Sequence, residues 1–225
     1  MKIAWIGSGK MARALSVVCA VEEGFEPTDL DAAEVILDFS RPENLNRVLE
    51  VSAEHPLVIG TTGYDEKQKH KIEEAAQKAP IVWAANFSVG AAVMRQLVIH
   101  ANEMLGEAFD VEIVETHHNQ KKDAPSGTAL TLARSIQKDR GVALDNRKKP
   151  GEIVLHALRG GTVTGEHRAY FFGNREELEI RHRAENREVF ALGALRAAAF
   201  AAKAGPGLYD MDDVLFGGKK HGGNC

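Results

Sequence analysis

The chain has 225 residues, 44% hydrophobic and 27% charged, with a formal net charge of -4. This is apolar content enough for one large or two small buried cores. A pI near 6.2 argues against nucleic acid as the main partner, and no apolar run approaches the roughly 20 residues that span a membrane. Cys19 and Cys225 are the only cysteines and build neither a disulfide framework nor a metal-type spacing. With no secretory pattern at the first residues, a reduced, cytoplasmic setting and a small anionic substrate are expected.

Residues 1–6 read as a buried parallel strand, and Gly7, Ser8, Gly9, Lys10 and Met11 follow at once, with Ala12 in the helix that starts there. This is G-x-G-x-x-A between strand and helix: the first glycine turns the chain, the second admits a pyrophosphate, and Ala12 lets helix pack on strand. The competing reading is a glycine turn with no ligand. An acid should follow about twenty residues on to bind the adenosine ribose, and Glu26 is the candidate. No Arg or Lys lies between Arg13 and Arg41, so a cation for a 2'-phosphate would come from Lys10 or from elsewhere in the fold. NADH, or both NADH and NADPH, is the expected cofactor.

Residues 34–40 and 56–59 read as further buried strands, the second ending in Gly60, Thr61, Thr62 and Gly63. Pro42 opens a helix carrying Leu45, Val48 and Leu49 on one face, and a very polar helix covers 65–78. Residues 80–83 form the next strand, ending at Ala84, Ala85, Asn86 and Phe87. Three strand ends, at Gly7, Gly60 and Asn86, thus aim small or polar residues at one edge, where open α/β sheets bind ligands. The expected fold is α/β, a Rossmann-like nucleotide domain followed by an α+β domain.

A helix over 91–105 leads into residues 109–115, whose apolar/polar alternation marks a strand. Then comes a dense polar run: Glu115, His117, His118, Lys121, Asp123, Pro125, Ser126, Gly127 and Thr128. Residues 129–137 are helical, with Leu130, Leu132, Ala133 and Ile136 as an apolar stripe, so the run is a strand-to-helix connection. Pro125 to Thr128 would sit at a helix N-terminus, where N–H groups and the helix dipole attract a carboxylate. His117 exchanges protons near neutrality and Lys121 offers a cation for developing negative charge. A solvated basic loop is the alternative. A metal site is disfavoured, because neighbouring histidines point apart in extended chain. Residues 153–159, 165–172 and 177–183 read as strands of an open mixed or antiparallel sheet, with the helix after Thr128 on one face. An alanine-rich helix covers 189–204, and the tail from Gly217 reads as a frayed end.

These motifs resemble the dihydrodipicolinate reductase family over nearly the full chain. The resemblance rests on Gly7 to Met11, Asp38 to Pro42, Gly60 to Gly63 and Ala84 to Gly90, and above all on the run from Glu115 to Thr128. Arg159 to His167, His182 to Arg187, Phe190 to Ala194 and Gly207 to Val214 extend it. It implies reduction of a small anionic cyclic dicarboxylate by NADH or NADPH, with no resident metal, in lysine and diaminopimelate biosynthesis. Carried onto matching positions, the catalytic acid is His117 and the second proton donor or cationic stabiliser is Lys121. The substrate contacts are His118, Ser126, Gly127 and Thr128. The nucleotide contacts are Gly7 to Met11, Gly60 to Thr62, Ala84 to Phe87, and Glu26. It further implies a homotetramer built through the second sheet, a nucleotide domain of residues 1–88 and 190–225, and a substrate domain of 89–189. Where many members have glycine this chain has Ala12, Asn119 and Gln120 replace residues that are often basic, and the region from 21 to 34 is short. A nucleotide sensor of the same fold, or an amino-acid dehydrogenase acting on another imine, is the alternative.

Overall fold

The computed structural model describes residues 1–53, 55–137, 141–143 and 151–217. The tail beyond Gly217, with Cys225, lies outside the described residues. In chain order the strands are β1 (Lys2–Ile6), β2 (Glu26–Pro27), β3 (Val35–Asp38), β4 (Leu57–Ile59), β5 (Pro80–Trp83), β6 (Asp110–His117), β7 (Val142–Ala143), β8 (Ile153–Arg159), β9 (Gly165–Gly173), β10 (Glu176–Ala184) and β11 (Gly207–Tyr209). The helices are α1 (Lys10–Cys19), α2 (Leu45–Val51), α3 (Glu66–Ala76), α4 (Val89–Leu105), α5 (Gly127–Ser135), α6 (Glu188–Ala201) and α7 (Met211–Phe216). They fall into two compact units, Met1–Val89 with Arg187–Cys225, and Gly90–Asn186.

The first unit holds a parallel sheet in the order β11-β5-β4-β3-β1-β2. All four residues of β3 are buried, the continuous run expected of a strand covered on both faces. Because β2 lies on one side of β1 and β3 on the other, the topology switches at the carboxyl end of β1, where a doubly wound sheet opens its crevice. Ile6, Asp38, Ile59 and Trp83 are register partners across four strands. The turns that follow them, beginning at Gly7, Phe39, Gly60 and Ala84, therefore line one edge.

Helix α3 starts with a reciprocal capping box between Asp65 and Gln68, which satisfies two otherwise unpaired donors. Helix α6 packs against α1 and across β3, β4 and β5, and its alanines make that approach close: Ala191, Ala194, Ala197, Ala198 and Ala201 are all fully buried.

The second unit is a mixed sheet in the order β10-β9-β6-β8-β7, with β6 and β8 parallel and β6 and β9 antiparallel. Its core joins Val111 and Ile113 of β6 and Phe171 of β9 to Met94 and Val98 of α4 and Leu132 of α5. Alternation on β6 sends Val111, Ile113, Glu115 and His117 to this one buried face. The apolar stripe thus ends in a carboxylate and an imidazole, and the site begins where the core stops.

Four short elements escape a periodicity reading. β2 and β7 have two residues each and β11 has three, and α7 has six, below the length at which either period declares itself.

Candidate active site

Strand β6 carries His117 as its last residue, so the imidazole is fixed by the sheet and not by the polar loop after it. The loop is tied back at both sides: Gly160 N–H donates to the His117 carbonyl at 2.9 Å, and Asn119 N–H donates to the Gly161 carbonyl at 3.3 Å. Residues 118–126 therefore cross over a turn that the sheet already holds.

Beneath His117 sits Glu115, which is fully buried. Its Oε2 bonds His117 Nδ1. Arg159 grips the same carboxylate with two nitrogens, Nη1 to Oε2 at 2.9 Å and Nη2 to Oε1 at 2.7 Å. Ser126 N–H donates to Oε1 at 3.0 Å. Burial alone would push this carboxyl up, but the bonds from His117, Arg159 and Ser126 prevail and hold it down at about 2. The strand period explains the pairing, since residues two apart share a face, and Arg159 is the register partner of His117 on β8.

Ser126 caps α5, its hydroxyl accepting from Ala129 N–H at 3.2 Å. The same oxygen lies 3.1 Å from His167 Nε2. His167 is buried, and that desolvation, with the nearby His117, pushes its imidazole down to about 4. The ring is neutral at physiological pH, and its Nε2 and the Ser126 hydroxyl share a hydrogen bond. With its N–H bonded to Glu115 and its hydroxyl to His167 and Ala129 N–H, Ser126 holds the helix start in place. Gly127 is exposed, and Thr128 and His118 are half-buried. Lys121 pairs with Asp123 at 2.8 Å on the loop.

The first unit carries the predicted nucleotide residues. Ser8, Gly9 and Lys10 are exposed and Met11 half-buried. Gly9 stands at the start of the ten-residue α1 with no side-chain cap, and a Cβ there would meet open space. Gly7 has φ 125, and a Cβ there would lie 2.4 Å from the Phe39 carbonyl oxygen, so only glycine makes this turn. A ten-residue helix entered through an open glycine turn at the switch point fits a dinucleotide pyrophosphate.

The other turns divide by exposure. Thr62 and Ala85 are exposed, Gly60, Ala84 and Asn86 half-buried, and Thr61 and Phe87 buried. Thr61 Oγ1 accepts from Ser40 N–H at 3.0 Å. Phe87 stacks edge-on with Phe39, ring centroids 5.6 Å apart. These two residues shape the turns from within. Asp38, which the sequence reading named in a motif but gave no role, is fully buried and takes the Ser40 N–H at 3.1 Å and the Tyr64 hydroxyl at 3.2 Å. Burial and this carboxylate together push the Tyr64 phenol up.

Glu26 lies away from the edge these turns line. In register it lies beside Lys2, four residues before the end of β1, or about 13 Å from the edge where Gly7 turns. Pro27 and the bond from Thr28 N–H to the Ile3 carbonyl end β2 at that level, so the exposed Glu26 carboxylate belongs to the opposite edge of the sheet.

Comparison with known proteins bears on the whole chain. The model of the dihydrodipicolinate reductase N-terminus matches residues 8–87, and that of its C-terminus matches residues 90–215. A 4-hydroxy-tetrahydrodipicolinate reductase from Rubrobacter xylanophilus is 50% identical over 193 residues, covering 81% of this chain and 74% of the relative. The enzyme of that name from Syntrophotalea carbinolica is 41% identical over 218 residues, covering 89% and 82%. Among solved structures, a dipicolinate-bound dihydrodipicolinate reductase from Paenisporosarcina sp. TG-14 shares the fold at TM-score 0.77 and 23% identity, over 96% of this chain and 99% of that one. With both family models matched in order and relatives identical at up to half of the aligned positions, the chain belongs to the dihydrodipicolinate reductase family.

Proposed function

We propose that this chain reduces 4-hydroxy-tetrahydrodipicolinate to tetrahydrodipicolinate with NADH or NADPH, using His117 as proton donor and Lys121 as the cation that holds developing charge. The observation that carries the reading is the placement of His117 at the end of β6, with Lys121 four residues on and the α5 N-terminus, Gly127 and Thr128, closing the same loop. Family membership supports the reaction class, and relatives at 41–50% identity bear the name of this activity.

In the reaction the substrate loses its hydroxyl as water and gains one hydride and one proton. When bound, the reduced nicotinamide supplies the hydride. Gly7, Gly9, Lys10, Gly60, Thr62 and Ala85 are the residues of the first unit that would hold the nucleotide, with Thr61 and Phe87 supporting their turns. Gly127, Thr128 and His118 bind the substrate carboxylates at the helix start, where N–H groups and the dipole favour an anion. Lys121 leaves Asp123 to hold the negative charge that spreads through the ring nitrogen. His117, or a water it holds, delivers the proton.

The absence of Arg or Lys from 14–40 supports NADH use at least equal to NADPH use. The outer face of the second sheet supports a homotetramer: Leu158 and Phe172 lie exposed there, beside a network in which Arg168 and Arg181 each meet Glu166 at 2.6 Å. Among the described residues no helix is long and apolar enough to cross a membrane, and a cytoplasmic setting fits the pathway.

Identification of the product by mass spectrometry, with kcat/KM for each nucleotide, tests the reading. Tetrahydrodipicolinate formed with at least equal efficiency from NADH is expected; a different reduced imine as the only product would overturn it. Light scattering in solution, reading four subunits or one, tests the assembly.

A further inference from the structure

His117 has two ring nitrogens, and the surroundings of Nδ1 leave only one of them for chemistry. Nδ1 faces Glu115 Oε2. The Glu115 carboxylate is fully buried, gripped by both terminal nitrogens of Arg159 and by Ser126 N–H. Every one of these neighbours is a donor, so the carboxylate stays ionised, and an ionised carboxylate only accepts hydrogen bonds. Nδ1 must therefore carry a proton. On the other side of the ring stands Gly165, where an added Cβ would lie 3.1 Å from His117 Nε2. The missing side chain leaves Nε2 uncrowded.

We propose that Glu115 is a positioning residue that locks His117 in its Nδ1–H tautomer, making Nε2 the nitrogen that gives or holds the transferred proton, with Arg159 keeping Glu115 in place and Gly165 keeping Nε2 clear. The inference rests on His117 acting in proton transfer. A free histidine side chain in water favours the Nε2–H form, so the carboxylate sets a choice that the ring would not make alone. Arg159 serves this purpose from within the fold: its Nη2 also donates to the Asp123 carbonyl at 2.5 Å, which ties the loop of Lys121 to the same carboxylate.

The test is a nitrogen-15 NMR measurement on histidine-labelled protein, recorded through a pH series and assigned to His117 with a His117→Gln variant. At the alkaline end, the wild-type ring is expected to show a protonated Nδ1 and a bare Nε2; a protonated Nε2 there overturns the inference without recourse to any variant. Glu115→Gln is expected to lower kcat about a hundredfold or more and to move the ring towards the Nε2–H form. Binding of NADH and of pyridine-2,6-dicarboxylate should stay within a few-fold. Gly165→Ala is expected to lower kcat at least tenfold with the Nδ1–H tautomer intact. Glu115→Gln with kcat within threefold of wild type, where His117→Gln abolishes turnover, would overturn the inference while leaving the role of His117 standing. Full turnover in His117→Gln would instead remove the catalytic role of His117, and the tautomer of the wild-type ring would still decide what Glu115 does.

Discussion

Glu115 and His117 stand two residues apart on β6, side by side on its buried face, and the carboxylate of one bonds Nδ1 of the other. Placing an ionised acid under an imidazole at the end of a core strand joins stability to function. The groups that hold the site are also groups whose protonation the fold resists.

Stability should therefore fall with acid. His167 ionises near 6.5 in the unfolded chain and at about 4 when folded, so its contribution is fully present above pH 6.5 and is lost as pH falls towards 4. The loss amounts to roughly 3 kcal/mol. Glu115, lowered from 4.5 to about 2, adds a further loss below pH 4.5. Urea midpoints at pH 8, 6, 5 and 4 check this: a steady decline below pH 6.5 is expected, flattened between pH 6.5 and 4 in His167→Gln. A wild-type midpoint unchanged from pH 7 to 4.5 would contradict it.

In its proposed role Lys121 leaves Asp123 to meet substrate, and the pair is held at 2.8 Å on a loop where Asp123 is more than half exposed. Exposed pairs of this kind are worth up to about 1 kcal/mol. Asp123→Asn should thus lower KM for the dicarboxylate by up to about fivefold with kcat little changed. A raised KM would show that Asp123 serves binding.

Gly193 lies on α6 where a Cβ would come within 1.7 Å of the Phe87 carbonyl oxygen. Gly193→Ala forces either the helix or the 84–87 turn to move, at a cost of about 1–3 kcal/mol. A lower Tm together with weaker NADH binding is expected. Unchanged values for both would mean that the turn gives way without consequence.

The register of β2 removes Glu26 from the nucleotide edge. Glu26→Gln is expected to leave the Kd of NADH and of NADPH within twofold in fluorescence titration. A tenfold loss for NADH would restore Glu26 as a ribose ligand.

Much of this was legible in the sequence because it depends on local chemistry. The glycines after β1, the polar run from Glu115 to Thr128 and the alternation of β6 each declare a strand end, a helix start or a buried face on their own. What stayed hidden depends on pairing between distant segments. Glu26 has the right spacing from Gly9 for a ribose acid, and only the register with Lys2 shows it at the wrong edge. Ser126 and Thr61 have the right type for ligand contact, and only the fold shows their hydroxyls bonded to His167 and Ser40 from other strands and turns. The link from Arg159 to Glu115 spans 44 residues, and no periodicity reaches that far; the strand expected over 109–115 runs on to His117, which puts Glu115 and His117 on one face.

The central claim is catalysis of dicarboxylate reduction by His117 and Lys121. It is tested most directly by following nicotinamide absorbance while 4-hydroxy-tetrahydrodipicolinate is generated in place, for the wild-type chain, His117→Gln and Lys121→Ala. The account predicts rapid substrate-dependent oxidation by the wild type, and rates lower by about a hundredfold or more in each variant with NADH binding retained. Near-wild-type turnover in both variants, or no oxidation of either NADH or NADPH by the wild type, would contradict it.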